Sequence, residues 1–307
     1  MITSLFSKSK PINFIAVFLI TLLALLLGQP KALLQPSITD VVSIIVLFLA
    51  VFVSLLLVNF ITIKNKLIKT SSFDILLYAV FLLSIPKLLS TPNVIFANVF
   101  VLLGLRRLIS LHTQRDTAKK LFDAGFWFAV AAMFYFWTIL FFVLILIMLI
   151  MYTDNSIRHW LIPFVAVACV FVLACTVSVL CYHNFFDIFK SLPFVSFDYS
   201  IYNHGATIIP VIFLLCFGIW ASFFYVNSIK NKKKLLRPSF KIVPVAVFFA
   251  IIIAVIAPNK NGSELLFVLA PLAIIVANYL EYMKQNWFKE LFLALLIFTP
   301  FLLVLFY

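Results

Sequence analysis

The chain has 307 residues, of which 65% are apolar and 11% charged, and its mean hydropathy is +1.21. Ten carboxylates stand against 23 Lys and Arg residues, giving a formal charge of +13. So few polar groups cannot cover a water-facing surface, which excludes a soluble globular protein, and cations in such a chain report topology rather than nucleic-acid binding. The composition predicts an all-α fold, a polytopic transmembrane helix bundle forming one domain over residues 1–307.

A helix crosses the hydrocarbon core in about 20 residues. The first apolar run, Ile12–Leu27, follows Lys8 and Lys10 in the manner of a signal peptide. The sequence after it, Gly28-Gln29-Pro30-Lys31, lacks a small-x-small site, so the run reads as a retained first membrane helix. Further runs follow at Val41–Thr62, Phe73–Leu89 and Val94–Leu105. The run Leu121–Tyr152 is too long for one perpendicular span and short for two. Beyond it lie Trp160–Tyr182, Ile208–Asn227, Ile242–Ala257, Leu265–Leu280 and Leu291–Phe306. Short spans suit helices shielded by their neighbours. Pro163 and Pro244 read as helix-end punctuation, and Pro86, Pro210, Pro271 and Pro300 as kinks or helix starts.

Charge decides the ambiguous run. With the N-terminus cytoplasmic and two passes at 121–152, nineteen of the 23 cations fall on the cytoplasmic side, leaving Lys31, Lys87, Lys190 and Lys260 outside. A single pass would put the cluster at 230–241 outside, against the positive-inside rule. A tight helical hairpin turning near Tyr135–Thr138 is therefore expected, with about eleven helices in all and a C-terminus on the far side. Gly125, Ala129 and Ala132 recur at helical spacing and predict a packing face. Lys230, Lys232, Lys233, Lys234 and Arg237 form the strongest cationic cluster, suited to anionic lipid headgroups on the cytoplasmic side.

Ionisable residues deep in a membrane usually mark function, and this chain shows almost none. Asp74, Asp123 and Glu290 stand at predicted helix beginnings, where they suit the helix dipole. The outer side is richer. Phe185, Phe186, Phe189 and Leu192 share one face of an expected amphipathic helix near 184–192. Asp187 and Lys190 fall on its other sides, and Asp198, Tyr199, Tyr202, Asn203 and His204 follow in a mix of aromatics, carboxylate and imidazole that suits either headgroup or sugar recognition or a plain aromatic belt. Asp40 and Glu264 are further outer carboxylates, and Lys87 and Lys260 outer cations able to meet a phosphate. Asp40 is the candidate catalytic base, with Lys87, Asp187, Lys190, Asp198, Tyr202 and His204 as candidate substrate-binding residues.

No nucleotide, zinc-protease or serine-hydrolase motif occurs, and six glycines leave little to cradle a phosphate, so no cofactor or metal is expected. Cys169, Cys175, Cys181 and Cys216 lack a C-x-x-C pair and read as small buried hydrophobes. His159 reads as a membrane-surface residue rather than a ligand.

The opening Phe6-Ser-Lys-Ser-Lys-Pro-Ile-Asn-Phe14, with Lys120-Leu-Phe-Asp-Ala-Gly-Phe126, Tyr135-Phe-Trp137 and Arg158-His-Trp-Leu-Ile-Pro163, resembles an uncharacterised bacterial integral-membrane family over most of the chain. The resemblance implies a bacterial inner membrane and no assigned activity. The hairpin, the outer amphipathic helix and Phe267-Val-Leu-Ala-Pro-Leu272 more broadly resemble the C-type glycosyltransferases, which use polyprenyl-phosphate-linked sugars. Those enzymes carry an acid in the first outer loop near the first helix, whereas Asp40 stands at the far end of that loop. Three functions follow: an accessory or partner subunit in cell-envelope assembly, an enzyme on a lipid-linked sugar at the outer leaflet, or a carrier of a lipid-like substrate.

Overall fold

The structure, a computed structural model, describes residues 2–29, 37–152, 156–185, 195–199, 202, 205–258, 260–283 and 285–304. All regular elements among them are helical. A short α1 (Ile2–Phe6) precedes α2 (Pro11–Gly28), α3 (Ile38–Lys64), α4 (Phe73–Ser84), α5 (Pro92–Ile109) and α6 (Thr117–Phe134). Then come α7 (Phe142–Met151), α8 (Ile157–Tyr182), α9 (Gly205–Ile229), α10 (Arg237–Ile256), α11 (Leu266–Tyr282) and α12 (Asn286–Val304). These are twelve α-helices among the described residues, of which seven are long and apolar enough to cross a membrane. Of the four others among the expected eleven, α4 has only twelve residues and α7 ten, while α6 has 18 and α12 19.

Local chemistry sets the helix ends. Pro11 and Pro92 open α2 and α5, where a missing N–H costs nothing. Ser37 and Asp40 form a capping box at the start of α3, each side chain accepting from the other's backbone N–H at 3.2 Å. The run 121–152 breaks at Tyr135, whose extended backbone leads into a 3-10 turn, Phe136–Phe141. The chain then doubles back, since Leu121 of α6 and Met148 and Leu149 of α7 line one pocket. Pro163 and Pro244 fall inside α8 and α10 rather than at their ends, because both helices begin several residues earlier than their apolar runs.

The centre of the bundle is α4 against α11. Every residue of α4 is buried, and 94% of the spanning window of α11 is. A twelve-residue helix, about 18 Å long at 1.5 Å per residue, is tolerable at membrane depth only with its ends shielded. Helices α2, α3 and α12 cover α4, while α9 and α10 cover α11. Outside α5 lies α6, and outside α6 lies α8. Gly125 makes that last approach close: a Cβ there would stand 3.0 Å from the Pro163 carbonyl oxygen and 3.2 Å from the Ala166 Cβ. The expected packing face on α6 is thus the α8 contact. The cysteines correct another expectation. Cys169, Cys181 and Cys216 are exposed and Cys175 half-buried, because α8 and α9 lie on the perimeter. Asp123 is not at a helix start either; it lies in the second turn of α6 and pairs with Arg107 at 2.9 Å.

Gly28 closes α2 against the 3-10 turn Pro86–Leu89 that follows α4. A Cβ at Gly28 would lie 2.5 Å from the Pro86 carbonyl oxygen, a backbone atom that cannot swing aside. Gly28→Ala should therefore cost about 1–3 kcal/mol by overpacking. A thermal midpoint in detergent equal to that of the parent would contradict this packing.

Candidate functional site at the Glu264 end of the bundle

Gly262 turns the α10–α11 connection with φ +89°, a left-handed conformation that favours glycine. The chain then enters the 3-10 turn Ser263–Leu265, which carries Glu264 into the protein at the head of α11. Glu264 has no exposed surface. Its Oε1 accepts a hydrogen bond from the Tyr202 hydroxyl, while its Oε2 is buried with no partner. Burial, followed by the negative charge of Glu264, raises the Tyr202 phenol above its ordinary range, so Tyr202 remains the donor.

Lys260 lies beside this carboxylate, close enough for its charge to act there, and is only 2% exposed. Its Nζ donates to the Ser196 carbonyl at 2.7 Å and stands 3.5 Å from the centroid of the Tyr199 ring. Tyr199 in turn donates to the Val255 carbonyl at 3.2 Å. Ser196, Tyr199 and Tyr202 are thus held over the bundle end, through Lys260, the Val255 carbonyl and Glu264 respectively. Tyr135 completes the group. Its ring packs at a tilt against Phe267, centroids 5.6 Å apart, and lies within electrostatic reach of Glu264. Trp137, two residues on, buries its Nε1 without an acceptor. An unpartnered carboxylate oxygen and an unpartnered indole donor are the atoms this end offers to a hydroxyl, an amine or water.

The residues singled out from sequence distribute as follows. Tyr202 is in the cluster. Lys87 is half-buried on the turn Pro86–Leu89, which packs against the Ser263–Leu265 turn. Asp198 is exposed on the segment over the site. Asp40 holds the start of α3 through Ser37, with its Oδ2 accepting from the Ser37 hydroxyl at 2.5 Å. Asp187, Lys190 and His204 lie outside the described residues, as does nearly all of the amphipathic segment expected near 184–192. Glu264 and Lys260 were legible as outer charges but not as buried residues. A spacing of four around a glycine turn, just ahead of an apolar run, is the signal that marks them.

The opposite end gathers the cations. Lys230, Lys233 and Lys234 are exposed. Lys232 turns inward onto Tyr282 and Phe240, and Arg237 donates to the carbonyls of Lys232 and Lys230. Glu281 accepts from the backbone N–H groups of Lys69, Thr70 and Ser71 at 2.7–3.4 Å. The buried Asp74 takes the Thr62 hydroxyl at 2.5 Å. Between the two ends the packing is apolar and aromatic, with Phe141 stacked 6.1 Å from Phe128 and edge-on to Phe267 at 6.2 Å. A buried Tyr78–Asn98 hydrogen bond of 3.0 Å lies between α4 and α5.

One family model, described as a family of unknown function (DUF6427), matches residues 1–307. No curated protein and no solved structure matches the chain.

Proposed function

We propose that this chain, which belongs to the DUF6427 family of unknown function, is a multi-pass protein of the bacterial inner membrane that serves as a partner subunit in a cell-envelope assembly. The observation that carries this reading is the seating of α8. That helix has 26 residues, yet only 22% of its spanning window is buried. It is attached through one stripe, Pro163, Ala166, Val170, Ala174 and Ser178, mainly onto α6. The opposite side presents Ala168, Cys169 and Thr176 between the exposed Leu161, Val165 and Val172. Small and hydroxylated residues on a membrane-facing helix suit close approach by another helix, whereas lipid alone demands only bulk apolar surface. The carboxylates support a structural role as well, since Asp40, Asp74, Asp123, Glu264 and Glu281 each bond to the chain's own groups.

Eleven passes, α2 to α12, with a cytoplasmic N-terminus agree with which loops meet. Gln29 bonds to Leu89, Tyr202 to Glu264 and Lys260 to Ser196 at one end. Asn13 bonds to Ser72, Ser239 to Ile109 and Lys69 to Glu281 at the other. The second end carries most cations, so the cytoplasmic face is assigned there, with Lys230, Lys233 and Lys234 toward anionic headgroups and the Glu264 end toward the periplasm.

The test is a photo-crosslinker coupled to Cys169 in native membranes. One discrete protein adduct of fixed mass, reproduced when the complex is extracted in mild detergent, is the expected result. Adducts to lipid alone would remove the partner reading.

The unpartnered Glu264 oxygen favours a second reading, an enzyme on a polyprenyl-phosphate-linked sugar at the outer leaflet. In it Asp40 is the base, and Lys87, Asp187, Lys190, Asp198, Tyr202 and His204 shape the pocket. Loss of cellular phenotype on Asp40→Ala, in protein that still folds, would favour it over the first. The carrier reading draws less support, because it needs a polar path at mid-depth where Phe128, Phe141 and Phe267 are packed.

A further inference from the structure

Five buried side-chain polar atoms lack a partner among the described residues, and three of them, the Oδ1 atoms of Asn59, Asn65 and Asp74, lie where α3 ends and α4 begins. All three are acceptors. Asn59, Thr62 and Asn65 follow at intervals of three along α3, so each is a surface neighbour of the next. Thr62 ties this row to α4, its hydroxyl lying 2.5 Å from Asp74 Oδ2 and 2.8 Å from the Asn59 carbonyl. That hydroxyl has one hydrogen for two acceptors, and Asp74 Oδ1 has no donor. The Asn65 amide is oriented by its Nδ2, which donates to the Ile61 carbonyl at 2.8 Å, so its Oδ1 is held beside the Ile61–Thr62 peptide. Asn65, Thr62 and Asp74 are all 1% exposed or less.

Charge identifies what this junction lacks. Asp74 makes no ion pair among the described residues, and Lys289 stands over the ring of Phe73, 4.6 Å from its centroid. Glu281, within electrostatic reach, adds charge of the same sign. The first turn of α4 eases the carboxylate through the helix dipole but gives Oδ1 no hydrogen. Asn65 caps the other helix, and Lys66 follows in left-handed backbone, φ +57°, so the negative end of α3 faces the same junction. A buried carboxylate needs a paired charge, and helix C-terminal ends at membrane depth are known to coordinate sodium or protons. Carboxylate, amide and hydroxyl oxygens are the ligands of hard cations. No group of three or more His, Cys, Asp or Glu gathers among the described residues, and one carboxylate matches one positive charge.

We propose that the α3–α4 junction binds one small monovalent cation through the oxygens of Asp74, Asn65 and Thr62, with Asn59 at its edge. The exposed Lys64 and Lys66 adjoin it in sequence, so the ion enters from the aqueous end of the bundle. Its effect is to lock α4, the fully buried central helix, to α3. The site is separate from the Glu264 end and from the cations at 230–237, and it does not rest on the partner-subunit reading.

The experiment uses the full chain in detergent, with sodium, potassium or choline chloride at equal ionic strength. Sodium or potassium should raise the thermal midpoint above that in choline, and the rise should saturate, as it does for a ligand bound only by the folded state. Radiolabelled sodium should bind at one ion per chain. Asp74→Asn replaces the charge with an amide that brings its own N–H donors. Its midpoint should be the same in all three salts and, in choline, no lower than the parent's; an aspartate with a merely structural role would not behave so. Asn65→Leu removes one oxygen and should weaken sodium binding about tenfold or more. Asp116→Asn, at an exposed carboxylate, should respond like the parent. Equal parent midpoints in the three salts with no labelled sodium bound would mean that Asp74 carries a proton instead and overturn the proposal. A salt response retained in Asp74→Asn would place the ion elsewhere and overturn it too. If Asp74→Asn does not fold, labelled sodium on the parent and on Asn65→Leu decides, and equal affinities there would sink the site.

Discussion

Lys260→Met should destabilise the folded protein by about 1.5–3 kcal/mol, the range for losing a hydrogen bond made by a charged group. Three losses combine. The Ser196 carbonyl loses its donor at 2.7 Å, Tyr199 loses the cation over its ring, and Glu264 is left buried without a neighbouring positive charge. Glu264→Gln alone should cost less, because a neutral amide is cheaper to bury and can still accept from Tyr202. The double variant should recover much of the Lys260→Met loss, since the orphaned charge disappears with its partner. Thermal midpoints of the two single variants and the double form the cycle. Strict additivity would show that the two residues do not act on each other, and an unchanged Lys260→Met midpoint would show that Lys260 is not buried as described.

The helical skeleton was readable because it rests on one strong signal, runs of apolar residues. The break in the run 121–152 needed a second signal, the alternation of cationic loops, and the extended Tyr135 stands within the stretch where that argument placed the turn. Burial was harder to read. Phe73–Ser84 and Ile157–Tyr182 look alike as apolar segments, yet the first lies wholly inside and the second largely outside. In a lipid-facing protein the perimeter is as apolar as the core, so hydropathy cannot rank them. The same limit misassigned the cysteines of α8 and α9 as buried.

The polar clusters were least legible, because each joins segments far apart in the chain. Tyr202 and Glu264 are 62 positions apart, and neither shows its partner locally. Asp40 looked like an outer-loop acid, but Ser37 three residues earlier was the local cue for a capping box. Sequence reasoning favoured loops rich in polar residues. The structure instead gathers buried charge at turns that enter the bundle, where a single carboxylate meets groups from several helices.

Glu281 shows how strongly such a long-range contact can act. It stands at the end of α11, where a negative charge opposes the helix dipole. What compensates is the loop between α3 and α4, which directs the N–H groups of Lys69, Thr70 and Ser71 and the Ser71 hydroxyl at its carboxylate. One turn earlier, Asn278 donates to the Leu67 carbonyl at 2.6 Å, so two side chains of the central helix fix the same loop. Glu281→Ala leaves three amides to water and removes the loop's main anchor. Hydrogen bonds to a charged group contribute about 1.5–3 kcal/mol each, but partial exposure of this site screens them, so a net loss of about 2–3 kcal/mol is expected. Glu281→Gln keeps an acceptor without the charge and should fall between the parent and Glu281→Ala. Amide exchange at residues 69–71 and tryptic cleavage after Lys66 or Lys69 should both accelerate in Glu281→Ala, while exchange in the middle of α4 changes little. Uniform acceleration across α4 would mean that Glu281 supports the whole core, and unchanged exchange at 69–71 would mean that the loop is held without it.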